Sequence, residues 1–256
     1  MPRAHFAGRR PTGLLVLDFD GTVWRGNEPL EAYAETVAQD LSSPDRRSYL
    51  TRVNAFLAGD RWEAPAGAEL PEDGWAAVAK FVAEYGATLE QRQRAFHATR
   101  ARIAAGEFHL DVPAGLPEFL AWSRASCAIV LASNSPVSSV LPVLEQLGLV
   151  ALFDAITCDA RKPAGLQALG PAWANQYVLE PNRIMSIGDH YPNDIAPAHA
   201  AGWSTTYLTP WRAVPGPCSV VGTTFEEVLP SLRSWVRFVE GRGSGAASIG
   251  EGGASG

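Results

Sequence analysis

The stretch LLVLDFDGT, residues 14–22, decides how this chain is read. Leu14, Leu15, Val16 and Leu17 run straight into Asp18, and Asp20 follows on the near side of a Gly21 turn. A short, continuous apolar run is the pattern of a strand buried on both faces. Two carboxylates at the end of such a strand are costly unless something positive meets them. The rest of the chain can be searched for that partner.

Working outward, further short apolar runs occur at Cys127–Ser133, Ala155–Cys158, Arg183–Ile187 and Ser204–Leu208. Helical periodicity fits 114–125, 136–147, 163–175, 192–201 and 225–239. Strands alternating with helices predict an α/β fold, a Rossmann-like parallel sheet with helices on both faces. Residues 24–112 break the alternation. They have almost no strand signal and four helical patterns, at about 29–42, 44–58, 72–85 and 88–105, punctuated by Pro44, Gly59, Pro65, Pro71 and Gly86. Leu89, Phe96 and Ile103 recur every seven residues and predict one apolar stripe on the last of these helices. This segment reads as an all-helical cap domain inserted after the first strand, with 13–23 and 113–240 forming the core. Residues 1–12, rich in Arg and Pro, read as a flexible arm. Residues 241–256, GRGSGAASIGEGGASG, read as a disordered tail.

Several predicted strands end in polar residues: Asp18-Phe19-Asp20-Gly21-Thr22, Ser133-Asn134-Ser135, and Gly188-Asp189 with Asn193-Asp194 close behind. Arg161-Lys162-Pro163 lies between the last two. Open α/β sheets bind ligands beyond the carboxyl ends of their strands, so parallel strands bring these four groups together. The cation meeting Asp18 is then Lys162, or a divalent metal between Asp18 and Asp189. A carboxylate can attack phosphorus and form an aspartyl-phosphate. Hard oxygen ligands suit Mg²⁺, while Ser133, Asn134 and Lys162 can donate to phosphoryl oxygens. Asp20, two residues from Asp18, can serve as the proton donor for a leaving alcohol.

DFDGT, SN, RKP and GDHYPND, in that order, resemble the four motifs of the haloacid dehalogenase superfamily, over about 13–22 and 113–210. VPAGLPEFL, 112–120, is similar to that family's return from cap to core, and the helical insert resembles its C1-type cap. The resemblance implies Asp18 as nucleophile and Mg²⁺ ligand. It implies Asp20 as general acid/base with its carbonyl on the metal, and Thr22 as a residue that helps position it. Ser133 would bind phosphate with Asn134 supporting the loop. Lys162 would bridge Asp18 and phosphate, Asp189 would hold Mg²⁺, and Asp194 would belong to the metal shell or pair with Lys162. An acid at Asp20 favours phosphate-ester hydrolysis over dehalogenation. The expected activity is that of a Mg²⁺-dependent phosphatase on a small phosphorylated metabolite. A phosphomutase on the same scaffold and a binding module without turnover are the alternatives.

Bulk properties narrow the field. The chain has 256 residues, 46% of them hydrophobic, and a net charge of −6. That acidity argues against a general nucleic-acid binder. No apolar run approaches the roughly 18 residues a membrane span needs. Arg9-Arg10 precedes an apolar run too short for an export signal, and the three cysteines have no metal-like spacing. A cytoplasmic protein is expected, its oligomeric state open. Arg25 and Asn27, just past the first motif, are candidate substrate contacts. Arg92, Arg94, Arg100 and Arg102 spread around their helix and are expected to be mostly solvated. His97 and Lys80 are expected at the surface, and Cys127 in the core.

Overall fold

In a computed structural model of the chain, the described residues are 10–59, 71–209 and 216–241. The first nine residues of the predicted arm and all but Gly241 of the predicted tail lie outside them. Thr12, at the arm's inner end, donates its N–H to the Ser126 carbonyl (2.7 Å) and so is tied to the core.

Six parallel strands form one sheet in the order β3-β2-β1-β4-β5-β6. They are β1 (Gly13–Leu17), β2 (Cys127–Ala132), β3 (Ala155–Thr157), β4 (Ile184–Gly188), β5 (Ser204–Leu208) and β6 (Val220–Gly222). The sixth strand carries only Val220, Val221 and Gly222, too short a run to stand out from a loop in sequence.

The continuous apolar run of β1 is explained by cover on both faces, because successive side chains point to opposite sides. Leu15 and Leu17 pack with Phe119 and Leu120 of α5 (Leu116–Ser123), Val140 and Leu144 of α6 (Val137–Gln146), and Phe225, Leu232 and Val236 of α9 (Phe225–Val239). Leu14 and Val16 face the other way, toward Leu166 and Trp173 of α7 (Ala164–Tyr177) and Ala198 of α8 (Ala196–Ala200). Cys127 is buried in the first of these layers.

Between β1 and α5 the described residues form four α-helices: α1 (Glu28–Val37), α2 (Ser43–Leu57), α3 (Gly74–Glu84) and α4 (Leu89–Ala104). The starts of α2, α3 and α4 are capped by side chains: Ser42 accepts from Asp45 N–H, Asp73 from Ala76 N–H, and Thr88 forms a reciprocal box with Gln91. They share their own core, built on Leu30, Tyr33, Tyr49, Val53, Phe56, Val78 and Phe81. The two segments joining insert to sheet are clipped together by paired backbone bonds between Arg25 and Asp111, both 2.8 Å.

Three expectations change. The α4 stripe does not run through Leu89, which is 60% exposed. A seven-residue repeat drifts on a 3.6-residue helix, and the buried positions are Ala95, Thr99, Arg100 and Ile103. The helix predicted over 192–201 begins instead with a π-helical turn, Tyr191–Ile195, before α8. Pro197, inside the predicted helix, lacks the N–H that a regular helix would use there. Arg100 is buried rather than solvated, whereas Arg94, Arg102 and His97 face solvent. Lys80, partly exposed, pairs with Glu72 at 3.6 Å.

Candidate active site

The strand order reverses direction at β1 and β4, the switch point where such sheets bind ligands. Asp18 leaves the end of β1, its N–H donating to Ile187 of β4 (2.9 Å), and Asp189 leaves the end of β4. Ser133 follows β2 on the other flank. One pocket of about 150 Å³ is lined by Asp18, Asp20, Ser133, Asn134, Ser135, Lys162, Asp189, His190 and Asp194, roofed by Asp73, Trp75 and Phe96 of the insert. A second, of about 260 Å³, shares Asp73, Trp75 and Asp189 with it and extends past Trp24, Arg25 and Asn27. Both candidate contacts after the first motif therefore line this second cleft.

Lys162 answers the question posed by Asp18. Its side chain is 3% exposed, and its ammonium donates to Asp18 Oδ1 (2.6 Å) and Asp194 Oδ1 (2.5 Å). Burial alone would depress it, but the two carboxylates more than offset that, and its pKa lies above the ordinary lysine range. Asn134 fixes the lysine's backbone, accepting from Lys162 N–H (2.6 Å) and donating to its carbonyl (3.1 Å). Ser133 Oγ accepts from Ser135 N–H (3.0 Å). The Ser135 hydroxyl donates to Asp20 Oδ2 (2.7 Å), and Arg100 holds Asp20 Oδ1 at 2.6 Å.

The acids repel one another. Burial pushes the Asp18 carboxyl up to about 7, opposed by Lys162 and reinforced by Asp194 and Asp20. Burial and the neighbouring carboxylates, Asp18 first, hold Asp189 well above the usual carboxylate range. Asp18, Asp189 and Asp194 each bring an oxygen within 4.8 Å of the others, an all-oxygen set suited to a hard divalent cation. Asp194, however, has both oxygens engaged, Oδ1 by Lys162 and Oδ2 by the His190 N–H (3.1 Å). Asp18 and Asp189 are the better-placed ligands. Room beside Asp189 depends on Gly21, whose φ is +80° and where a Cβ would overlap the Asp189 carboxylate. Gly21→Ala is therefore expected to destabilise the fold by about 1–2 kcal/mol through backbone strain and to weaken divalent-ion binding, both measurable by thermal unfolding with and without MgCl₂.

Thr22 is not brought into the pocket: it is fully buried, and its hydroxyl has no hydrogen-bond partner. From sequence, Ser135 stands in the polar group after β2 without an assigned role, Arg100 is expected in solvent, and Asp73 is not singled out. For Arg100 a signal existed. Phe96 and Ile103 stand four residues before it and three after it, so all three share one helix face.

A family model, haloacid dehalogenase-like hydrolase, matches residues 12–202. Among curated proteins no match was found. Solved structures resemble the fold along most of its length. A Bacillus subtilis protein described as a HAD-hydrolase and solved bound to magnesium is 16% identical, with a TM-score of 0.59, covering 88% of this chain and 99% of that one. A predicted phosphoglycolate phosphatase from Haemophilus somnus is 21% identical, with a TM-score of 0.56, covering 86% and 97%. A 2-haloacid dehalogenase from Pseudomonas syringae is 14% identical, with a TM-score of 0.50 and the same coverages. With four motifs converging on one pocket and the family model spanning most of the described core, the chain belongs to the haloacid dehalogenase-like hydrolases.

Proposed function

We propose that this hydrolase is a Mg²⁺-dependent phosphatase acting on a small phosphorylated metabolite through an aspartyl-phosphate. The observation that carries the reading is Asp20, held by Ser135 and Arg100 on the pocket wall two residues from Asp18. A halide leaves without a proton; an alkoxide does not. A carboxyl group fixed beside the nucleophile therefore has a task in ester hydrolysis that dehalogenation lacks. The small pockets, roofed by an insert that acts as a lid, suit a metabolite better than a macromolecule.

An Asp18 carboxylate oxygen attacks phosphorus and the bond to the ester oxygen breaks, with Asp20 delivering its proton to that oxygen. Asp20 then takes a proton from water as the water oxygen attacks phosphorus. The acyl-phosphate bond breaks, releasing inorganic phosphate and restoring the Asp18 carboxylate. Lys162 and the Ser133–Asn134 loop orient the phosphoryl oxygens. Asp18 and Asp189, with the Asp20 carbonyl that the family pattern adds, would hold Mg²⁺, which supplies positive charge against the phosphoryl group. The test is phosphate release from a panel of phosphorylated metabolites with Mg²⁺ and with chelator. Metal-dependent release supports the proposal, and halide release from haloacids without phosphate release would replace it with dehalogenation.

The raised acids give a pH signature. Asp18 and Asp189 bind protons in the folded state at pH values where the unfolded chain has released them. Their contribution favours folding below the ordinary carboxylate range and is lost as pH rises through about 7, for Asp18, in the absence of metal. Mg²⁺ displaces those protons, so it is expected to raise Tm more at pH 8 than at pH 5.5. Equal shifts at both pH values would contradict this ligand set.

A further inference from the structure

We propose that Arg100 is a positioning residue, reaching from the helical insert to hold the Asp20 carboxylate in the orientation from which it exchanges a proton with the leaving oxygen. The inference rests on the reading of Asp18 and Asp20 given above.

Arg100 is 3% exposed, and each of its three nitrogens donates a hydrogen bond. Nη1 donates to Asp20 Oδ1 (2.6 Å), while Nε (3.3 Å) and Nη2 (3.1 Å) share the Ser139 Oγ. Ser139 donates its own proton to the Pro136 carbonyl (3.2 Å), so its lone pairs are left facing the guanidinium. The Arg100 head also lies 5.6 Å from the centre of the Trp75 ring. A planar, rigid fork fixed at two nitrogens by Ser139 sets the direction of the third toward Asp20, which a lysine's point charge could not do as well.

The carboxylate of Asp20 is thereby gripped on both oxygens, one by Ser135 from the core and one by Arg100 from the insert. Ser135 and Ser139 lie on the same connection, the turn that ends β2 and the first turns of α6. Asp20 is fully oriented only while α4 lies against α6. Seating the insert over the pocket and aligning the proton donor are then one event. The paired backbone bonds between Arg25 and Asp111 make the two connecting segments move together, which suits a single seating motion. The commitment of Arg100 to Asp20 and Ser139 also separates it from Lys162. Each of its three nitrogens already donates to Asp20 or Ser139 and it lines neither pocket, so it acts on the acid and not on the substrate.

The experiment is steady-state kinetics on one alkyl phosphate, whose alkoxide needs a proton to leave, with Mg²⁺, for wild type, Arg100→Met, Arg100→Lys, Asp20→Asn and the Asp20→Asn/Arg100→Met double variant, with unfolding curves for each. Arg100→Met is expected to lower kcat about 100-fold, the scale of a misplaced catalytic group, with KM within about threefold. Arg100→Lys should recover part of that loss by restoring the charge without the fork. In the Asp20→Asn background, removing Arg100 should cost little more, because it acts through the missing acid. A rise in KM at unchanged kcat would make Arg100 a substrate contact, and full additivity in the double variant would make it a structural tie; either overturns the proposal. If Arg100→Met does not fold, the lysine variant and its double with Asp20→Asn carry the same comparison. Wild-type turnover with an inert Arg100 refutes this inference alone. Absence of turnover in the wild type refutes the phosphatase reading beneath it.

Discussion

Asp18→Asn is expected to fold like the wild type and to lose turnover by a factor on the order of 10⁴ or more, the scale of removing a covalent nucleophile. The amide fills the same space at the end of β1 but cannot form an acyl-phosphate. Stability should move the other way. The wild-type carboxyl is raised to about 7 because burial and its acidic neighbours penalise its charge. Without metal, above that pH, the neutral amide removes a penalised anion and leaves Lys162 paired with Asp194. Urea unfolding in chelator at pH 8 is expected to show the variant at least as stable as the wild type, a trade of activity for stability at one residue. A variant that kept most of its phosphate release would remove Asp18 from the mechanism.

Lys162→Met should damage both properties. It removes the cation held by Asp18 and Asp194 and leaves two carboxylates facing each other beside Asp189. Breaking a buried ion pair by deleting one partner typically costs about 3–5 kcal/mol, and losing a donor to the transferring group costs about 10²–10³ in kcat. The stability loss has a direction in pH. Lys162 is the neighbour that most lowers the Asp18 pKa, so without it Asp18 holds its proton more tightly still. Protonation at pH 5.5 then relieves the repulsion that persists at pH 8. Denaturant titrations in chelator should show a deficit at pH 8 that shrinks on acidification. A deficit independent of pH would mean that Lys162 contributes packing rather than charge.

Much of this site was legible in the sequence because its residues sit at strand ends. Strand alternation fixes where a chain emerges from a sheet, so Asp18, Ser133, Lys162 and Asp189 could be brought together from order alone. The same logic found five of the six strands and failed on Val220–Gly222, whose three residues carry no pattern. What the sequence concealed lies across the boundary between insert and sheet. Arg100 differs from Arg94 and Arg102 only in which face of α4 meets α6, a matter of packing angle. Asp73 reads as an ordinary helix cap, and it is one, yet it also roofs the pocket. Thr22, which motif position placed beside Asp20, is fully buried and lines neither pocket, so any part it takes is through its neighbour rather than by contact with substrate.

Turnover by this route binds phosphorus covalently to Asp18. The most direct measurement is to quench the wild-type protein with acid during Mg²⁺-supported turnover of an aryl phosphate and map the phosphoryl group by mass spectrometry. A hydroxylamine-sensitive phosphoryl group is expected on the peptide containing residues 14–22, assigned to Asp18 and absent without Mg²⁺. Metal-dependent phosphate release with no phosphoryl group on Asp18 at any quench time, and with Asp18→Asn still active, would contradict it.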